Sequence, residues 1–191
     1  MTKKIVSTIV IGLLFCGISF SQNSKESTSN SPGISIGYWG NGSQSKGIFL
    51  GYQKNLINTE KYKIITGLDL VFEKMPQNYS SYGLIAKTGV RRTLKSGIFF
   101  EYYLRAGYLG SYYPFDLYRV NSEGEVINYG KKVFSTFAFG NSIGIGYDFS
   151  YKTKLNLQIF INPILYYRYP NNDNPFYTNN TGIQAGVIFN L

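Results

Sequence analysis

The sequence contains no histidine, one cysteine and one tryptophan, and only 15% of its 191 residues are charged. Without histidine there is no Ser-His-acid triad and no histidine-ligated metal. The single cysteine, Cys16, falls inside an N-terminal leader, so the processed chain is expected to have no disulfide, thiol nucleophile or thiolate metal site. Long apolar runs are missing too: residues 5–20 fall short of the roughly 20 apolar residues that a spanning helix needs. Segment 22–32 contains no apolar side chain other than Pro32 and reads as a flexible N-terminal segment.

The leader reads as a secretory signal peptide over residues 1–21. Lys3 and Lys4 supply the positive end, residues 5–15 the apolar stretch, and Ser19-Phe20-Ser21 places small residues where cleavage is expected, after Ser21. A lipoprotein would use Cys16, but bulky Phe15 stands where a small residue is needed. Losing Lys3 and Lys4 from the total of 19 leaves 17 basic residues against 10 acidic ones. Such a balance raises nucleic-acid binding. The placement of the cations argues against it: Lys54, Lys61, Lys63, Arg91, Arg92, Lys95, Lys152 and Lys154 gather where short turns are expected. That pattern reads either as contact with anionic lipid or as a solvated basic face.

From residue 33 onward the chain alternates apolar and polar residues in eight segments: 33–39, 47–53, 62–73, 83–94, 97–112, 133–149, 154–168 and 182–191. The connections read long, short, long, short to the end. This is the signature of an eight-stranded antiparallel up-and-down transmembrane β-barrel, with the termini and short turns at one end and longer loops at the other. Phe and Tyr supply 32 residues and Gly 21, which suits aromatic girdles and tightly curved strands. Within 113–132, segments 117–120 and 125–129 flank the turn 121–124 and predict a projecting hairpin. Pro163 predicts a bulge in the seventh strand, beyond which the assignment of faces stays open.

At the C-terminus, residues 184–191 (QAGVIFNL) resemble the last-strand signal recognised by outer-membrane assembly machinery, with Leu191 where an aromatic residue is usual. With the eight segments, the chain from residue 33 to 191 resembles small outer-membrane barrels of the OmpA/OmpX type without a periplasmic peptidoglycan-binding domain. The resemblance implies export to the outer membrane, contact with its lipid and lipopolysaccharide, and a monomer.

An eight-stranded barrel is filled by its own side chains, so interior charges must pair or bear several kcal/mol of desolvation. Counting from the expected turns sets Arg91 opposite Glu101 and Asp69 opposite Lys87, with Arg105 and Glu73 extending the network. The expected result is an internal ion-pair ladder that plugs the lumen. Trp39, Tyr112, Tyr113, Tyr129, Tyr167 and Tyr169 read as an interfacial aromatic belt, while Phe115, Tyr118, Phe176 and Tyr177 are candidate surface-binding residues on the loops.

No enzyme is expected. Carboxylates such as Glu73 and Glu101 have cations as neighbours, which favours structural pairing over acid/base work. The glycines at 140, 144 and 146 do not have phosphate-loop spacing, and the Asn171–Asn174 cluster carries one carboxylate, too few for a calcium site. No catalytic, cofactor-binding or metal-ligating constellation follows, and no cofactor. The function expected is structural or adhesive, through the extracellular loops. Alternatives are a narrow channel for small molecules, or a soluble periplasmic barrel holding a ligand inside. An apolar exterior around a charged interior separates the first two from the third.

Overall fold

A computed structural model describes residues 32–41, 44–59, 62–120, 122–128, 132–169 and 179–191. The leader, most of segment 22–32 and loop residues Tyr129, Phe176 and Tyr177 lie outside the described residues.

Eight strands close one antiparallel barrel: β1 (Gly33–Gly40), β2 (Lys46–Asn58), β3 (Lys63–Met75), β4 (Tyr79–Thr93), β5 (Ile98–Tyr112), β8 (Val133–Asp148), β9 (Leu157–Tyr169) and β10 (Asn179–Asn190). Each sequential neighbour pairs with the next, and β1 pairs with β10 from Gly33↔Asn190 to Gly40↔Ile183. Closure leaves no free sheet edge, as a span through hydrocarbon requires. The predicted hairpin is present as β6 (Tyr118–Val120) and β7 (Val126–Asn128), paired only with each other, with Gly124 at φ 84° in its turn. At this position only glycine avoids a steric penalty.

The side-chain alternation sorts cleanly. On β9, Gln158, Phe160, Asn162, Ile164, Tyr166 and Arg168 are buried, while Ile159, Ile161, Pro163, Leu165, Tyr167 and Tyr169 are exposed. Large apolar side chains cover the outside on every strand, for example Ile48 (64% exposed), Leu70 (57%), Leu104 (55%) and Ile143 (67%). A soluble barrel would bury these residues. An apolar exterior around a charged interior is the arrangement of a membrane-spanning barrel.

Two sequence expectations fail. The loops do not alternate in length along the whole chain: β3 and β4 run on as a ladder to Met75↔Tyr79, so the expected long loop 74–82 shrinks to a turn at 76–78 with Gln77 at φ 61°. Only the connection 113–132, between β5 and β8, stands out in length, since 149–156 and 170–178 are nearly equal. Pro163 makes no bulge, because Ser142↔Ile164 and Ile145↔Ile161 keep the same register on either side of it, and only the pairs between them are lost. A missing N–H removes a hydrogen bond without displacing a strand, and Pro163 stays in the ladder opposite Ile183 of β10. The irregularity lies in β2 instead, between Asn55 and Ile57.

Candidate functional site

The lumen holds the charged side chains in layers. Near the end carrying the termini, Arg91 on β4 stands opposite Glu101 on β5. Its Nη2 and Nε donate to Glu101 Oε2 at 2.6 and 2.9 Å, and the Tyr103 hydroxyl donates to the same oxygen at 3.1 Å. Asn162 Nδ2 donates to the other oxygen at 2.7 Å. Arg91 Nη1 donates to Gln158 Oε1 at 2.7 Å, and Gln158 Nε2 in turn donates to Asp148 at 2.8 Å. Every oxygen of Glu101 therefore has a donor, the condition under which a buried ion pair is tolerated.

The middle layer centres on Asp69, which receives Lys87 Nζ at 2.9 Å, Arg105 Nη1 at 3.2 Å and Gln184 Nε2 at 3.1 Å. Arg105 is held from the far side by Gln184 Oε1 at 2.6 Å and Ser142 Oγ at 2.9 Å. The ring of Tyr103 links the two layers, with Lys87 Nζ and Arg105 lying 5.6 and 5.8 Å from its centroid. Glycines open the space that these groups fill. A methyl at Gly144 would occupy the site of Asn162 Oδ1, and one at Gly51 would overlap Asp69 and Ser35.

Further along the same strands Trp39, Val71, Ile85, Leu109, Ala138 and Ile164 are all buried and form an apolar layer across the lumen. Beyond it, Glu73 accepts from the Ser45 hydroxyl and faces Arg168 at 3.6 Å, while Arg168 Nη2 donates to Tyr166 at 3.3 Å. Tyr79, Tyr113 and Phe134 cap this end, with Tyr113 and Phe134 edge to face at 5.5 Å. Among the described residues, the buried charges are Asp69, Glu73, Glu101 and Asp148 against Lys87, Arg91, Arg105 and Arg168. These buried charges balance, four against four. A vestibule of about 370 Å³ at the termini end, lined by Gln53, Asn55, Lys63, Arg91, Asp148 and Gln158 among others, stops at the first layer.

All six residues named for the interior, Asp69, Glu73, Lys87, Arg91, Glu101 and Arg105, are buried. Their partners differ in part from the sequence count. Asp69 stands opposite Ile85, and Lys87 opposite Gly67, so this pair meets diagonally. The count assumed a symmetric turn about Asn78, whereas the ladder turns about Gln77. Arg105 joins the Asp69 layer as expected, whereas Glu73 lies one inward step beyond the apolar layer and meets Arg168. Arg168 lies beyond Pro163 on β9, where alternation continues unbroken and turns it inward. Arg91 belongs to the interior and not to the basic rim.

The aromatic belt also needs correction. Trp39 and Tyr113 point inward at 3% and 2% exposure, Trp39 packing against Tyr166 at 6.2 Å and lying 5.9 Å from the Arg105 guanidinium. Tyr112, Tyr167 and Tyr169 do face outward. Of the loop candidates, Tyr118 is 62% exposed, and Phe115 is exposed while stacked edge to face on buried Tyr113 at 6.0 Å. Val126 and Ile127 extend the exposed apolar surface of the hairpin. The base of the hairpin is thus rooted in the capping cluster, and β6 and β7 pair with each other as a separate two-stranded sheet.

No family model matches the chain, and no curated protein sequence matches it. Among solved structures, the fold is similar to that of Ail, the attachment invasion locus protein of Yersinia pestis, at 11% sequence identity and a TM-score of 0.53, over 84% of this chain and 97% of that one. At this identity the likeness is one of fold. The closed antiparallel path, the apolar exterior and the filled polar interior together make this chain an eight-stranded membrane β-barrel.

Proposed function

We propose that the chain is a non-enzymatic outer-membrane barrel with a sealed lumen, which acts through the surface hairpin of segment 113–132. One observation carries this reading: the structure spends its interior on neutralised charge and apolar seal, and concentrates exposed apolar side chains beyond the barrel on β6 and β7. Solvent-facing aromatic and branched residues on a firmly rooted hairpin are suited to anchoring a partner. The likeness in fold to a protein named for attachment and invasion agrees with a role in surface contact. Under this reading Phe115 and Tyr118, together with Phe176 and Tyr177 of the last loop, make the contacts. Residues 1–21 direct export, and 184–191 engage the assembly machinery.

The test is display of the chain on a non-adherent bacterial host and measurement of binding to immobilised extracellular-matrix proteins and cultured cells. Binding above the empty host, reduced by Phe115→Ser with Tyr118→Ser while the barrel stays folded, is the expected result. Equal binding by the native chain and the empty host would overturn the proposal.

A further inference from the structure

The exposed charge of the barrel is segregated by end. At the end carrying the termini, Lys54 on β2, Arg92 on β4, Lys95 in the β4–β5 turn, and Lys152 and Lys154 between β8 and β9 are all exposed. No exposed carboxylate accompanies them among the described residues: Asp148 is buried in the lumen network, and Asp116, Glu123 and Glu125 all lie in segment 113–132 at the opposite end. The Asp148 N–H bonds to Gly97 O and sets the β8–β9 connection beside the β4–β5 turn, which brings Lys95, Lys152 and Lys154 into one sector. Arg92 lies 5.7 Å from the centroid of the exposed Tyr62 ring and carries the sector toward the β2–β3 turn.

These cations are interleaved with apolar side chains that solvent would not favour. Leu56 and Ile57 at the end of β2, Leu94 in the β4–β5 turn, and Tyr151 and Leu155 between β8 and β9 are exposed, Leu155 at 58%. In a water-facing turn such residues serve nothing, but where hydrocarbon gives way to head groups they continue the lipid-facing band. The lysine and arginine stems then lie along acyl chains with their charges raised to the phosphates. We infer that the termini end of this barrel carries a binding surface for anionic phospholipid head groups, made by Lys54, Arg92, Lys95, Lys152 and Lys154. The inference rests on the membrane-spanning reading and is independent of any ligand of the hairpin. Charge complementarity selects the occupant, since a rim whose described exposed charges are all cationic, next to an apolar band, matches a phosphodiester surface, each cation near it contributing a severalfold preference that salt screens.

The experiment reconstitutes the full barrel in phosphatidylcholine vesicles and compares spin-labelled phosphatidylglycerol with spin-labelled phosphatidylcholine in the motionally restricted shell. A selectivity for phosphatidylglycerol of at least threefold is expected, falling toward one in 1 M salt. Replacing all five cations by Gln should abolish it. Lys46→Gln with Lys74→Gln should leave it unchanged, since those two exposed lysines pair across β2 and β3 at the other end. Salt dependence of the native chain stands on its own should the fivefold variant fail to fold. A ratio of one for the native barrel, or a preference removed equally by the Lys46 and Lys74 changes, would overturn the assignment. Failure of the chain to enter vesicles at all would instead refute the membrane reading beneath it.

Discussion

Truncating Glu101 is the sharpest perturbation of the sealed interior. Its carboxylate receives Arg91 twice, Tyr103 once and Asn162 once, at 2.6 to 3.1 Å, and is buried with all of them. Removing one partner of such a pair leaves an uncompensated buried cation, at a cost of about 3–5 kcal/mol. Glu101→Ala is therefore expected to lower the unfolding free energy in vesicles by that amount. Trp39, the one tryptophan and buried beside Arg105, reports the transition by fluorescence. Pairing Glu101→Leu with Arg91→Met removes both charges while keeping volume, and should recover most of the loss, because buried ion pairs replaced by apolar groups are often neutral or better. The internal control is Asp116 with Lys132, a 3.2 Å pair about half exposed on both sides, whose loss should cost no more than about 1 kcal/mol. A cost below about 1 kcal/mol for Glu101→Ala, or a double variant less stable than the single one, would refute the account of the lumen as a tightly coupled ionic plug.

Other outcomes follow from particular residues. Gly144→Ala should destabilise the barrel by several kcal/mol, because the new methyl must displace Asn162 from Glu101, and urea titration of the folded fraction measures it. Pro163→Val restores a backbone donor between the intact pairs on either side of position 163 and should stabilise by about 1 kcal/mol in the same titration. Tyr113→Ala removes the ring on which Phe115 and Phe134 pack, and should speed proteolysis within 113–132 while leaving the barrel's resistance intact. In planar bilayers the native protein should show no stable single-channel conductance, and a reproducible, ion-selective step would mean that the layers leave a path.

Much of this architecture is legible in the sequence because a barrel wall has a strict period of two: on β5 the outward set Phe100, Tyr102, Leu104, Ala106 and Tyr108 and the inward set Glu101, Tyr103 and Arg105 can be read off directly. Register across a tight turn is readable to within one residue: Arg91 faces Glu101 in a ladder centred on Ser96, because Gly97 at φ 91° extends the Lys95-Ser96 turn to three residues. Register across a longer gap is not, since moving the centre of the turn by one residue moves the partner by two, and Asp69 shows that displacement. The ion pair with Lys87 still forms because long side chains span a diagonal. Partners distant in sequence, such as Gln184 for Asp69 and Asn162 for Glu101, depend on closure of the barrel and leave no local trace. Trp39 misled for a related reason: a tryptophan at a strand end suggests an interfacial belt, but inward position on β1 is set by parity, and parity placed it inside.

The central claim, a closed barrel with its apolar face in the membrane, is tested most directly by the gel mobility of the envelope fraction with and without boiling in SDS. The account predicts a band in the detergent-insoluble fraction that migrates faster unboiled and slows on heating, as the closed sheet opens. A soluble protein whose mobility does not depend on heating would contradict it.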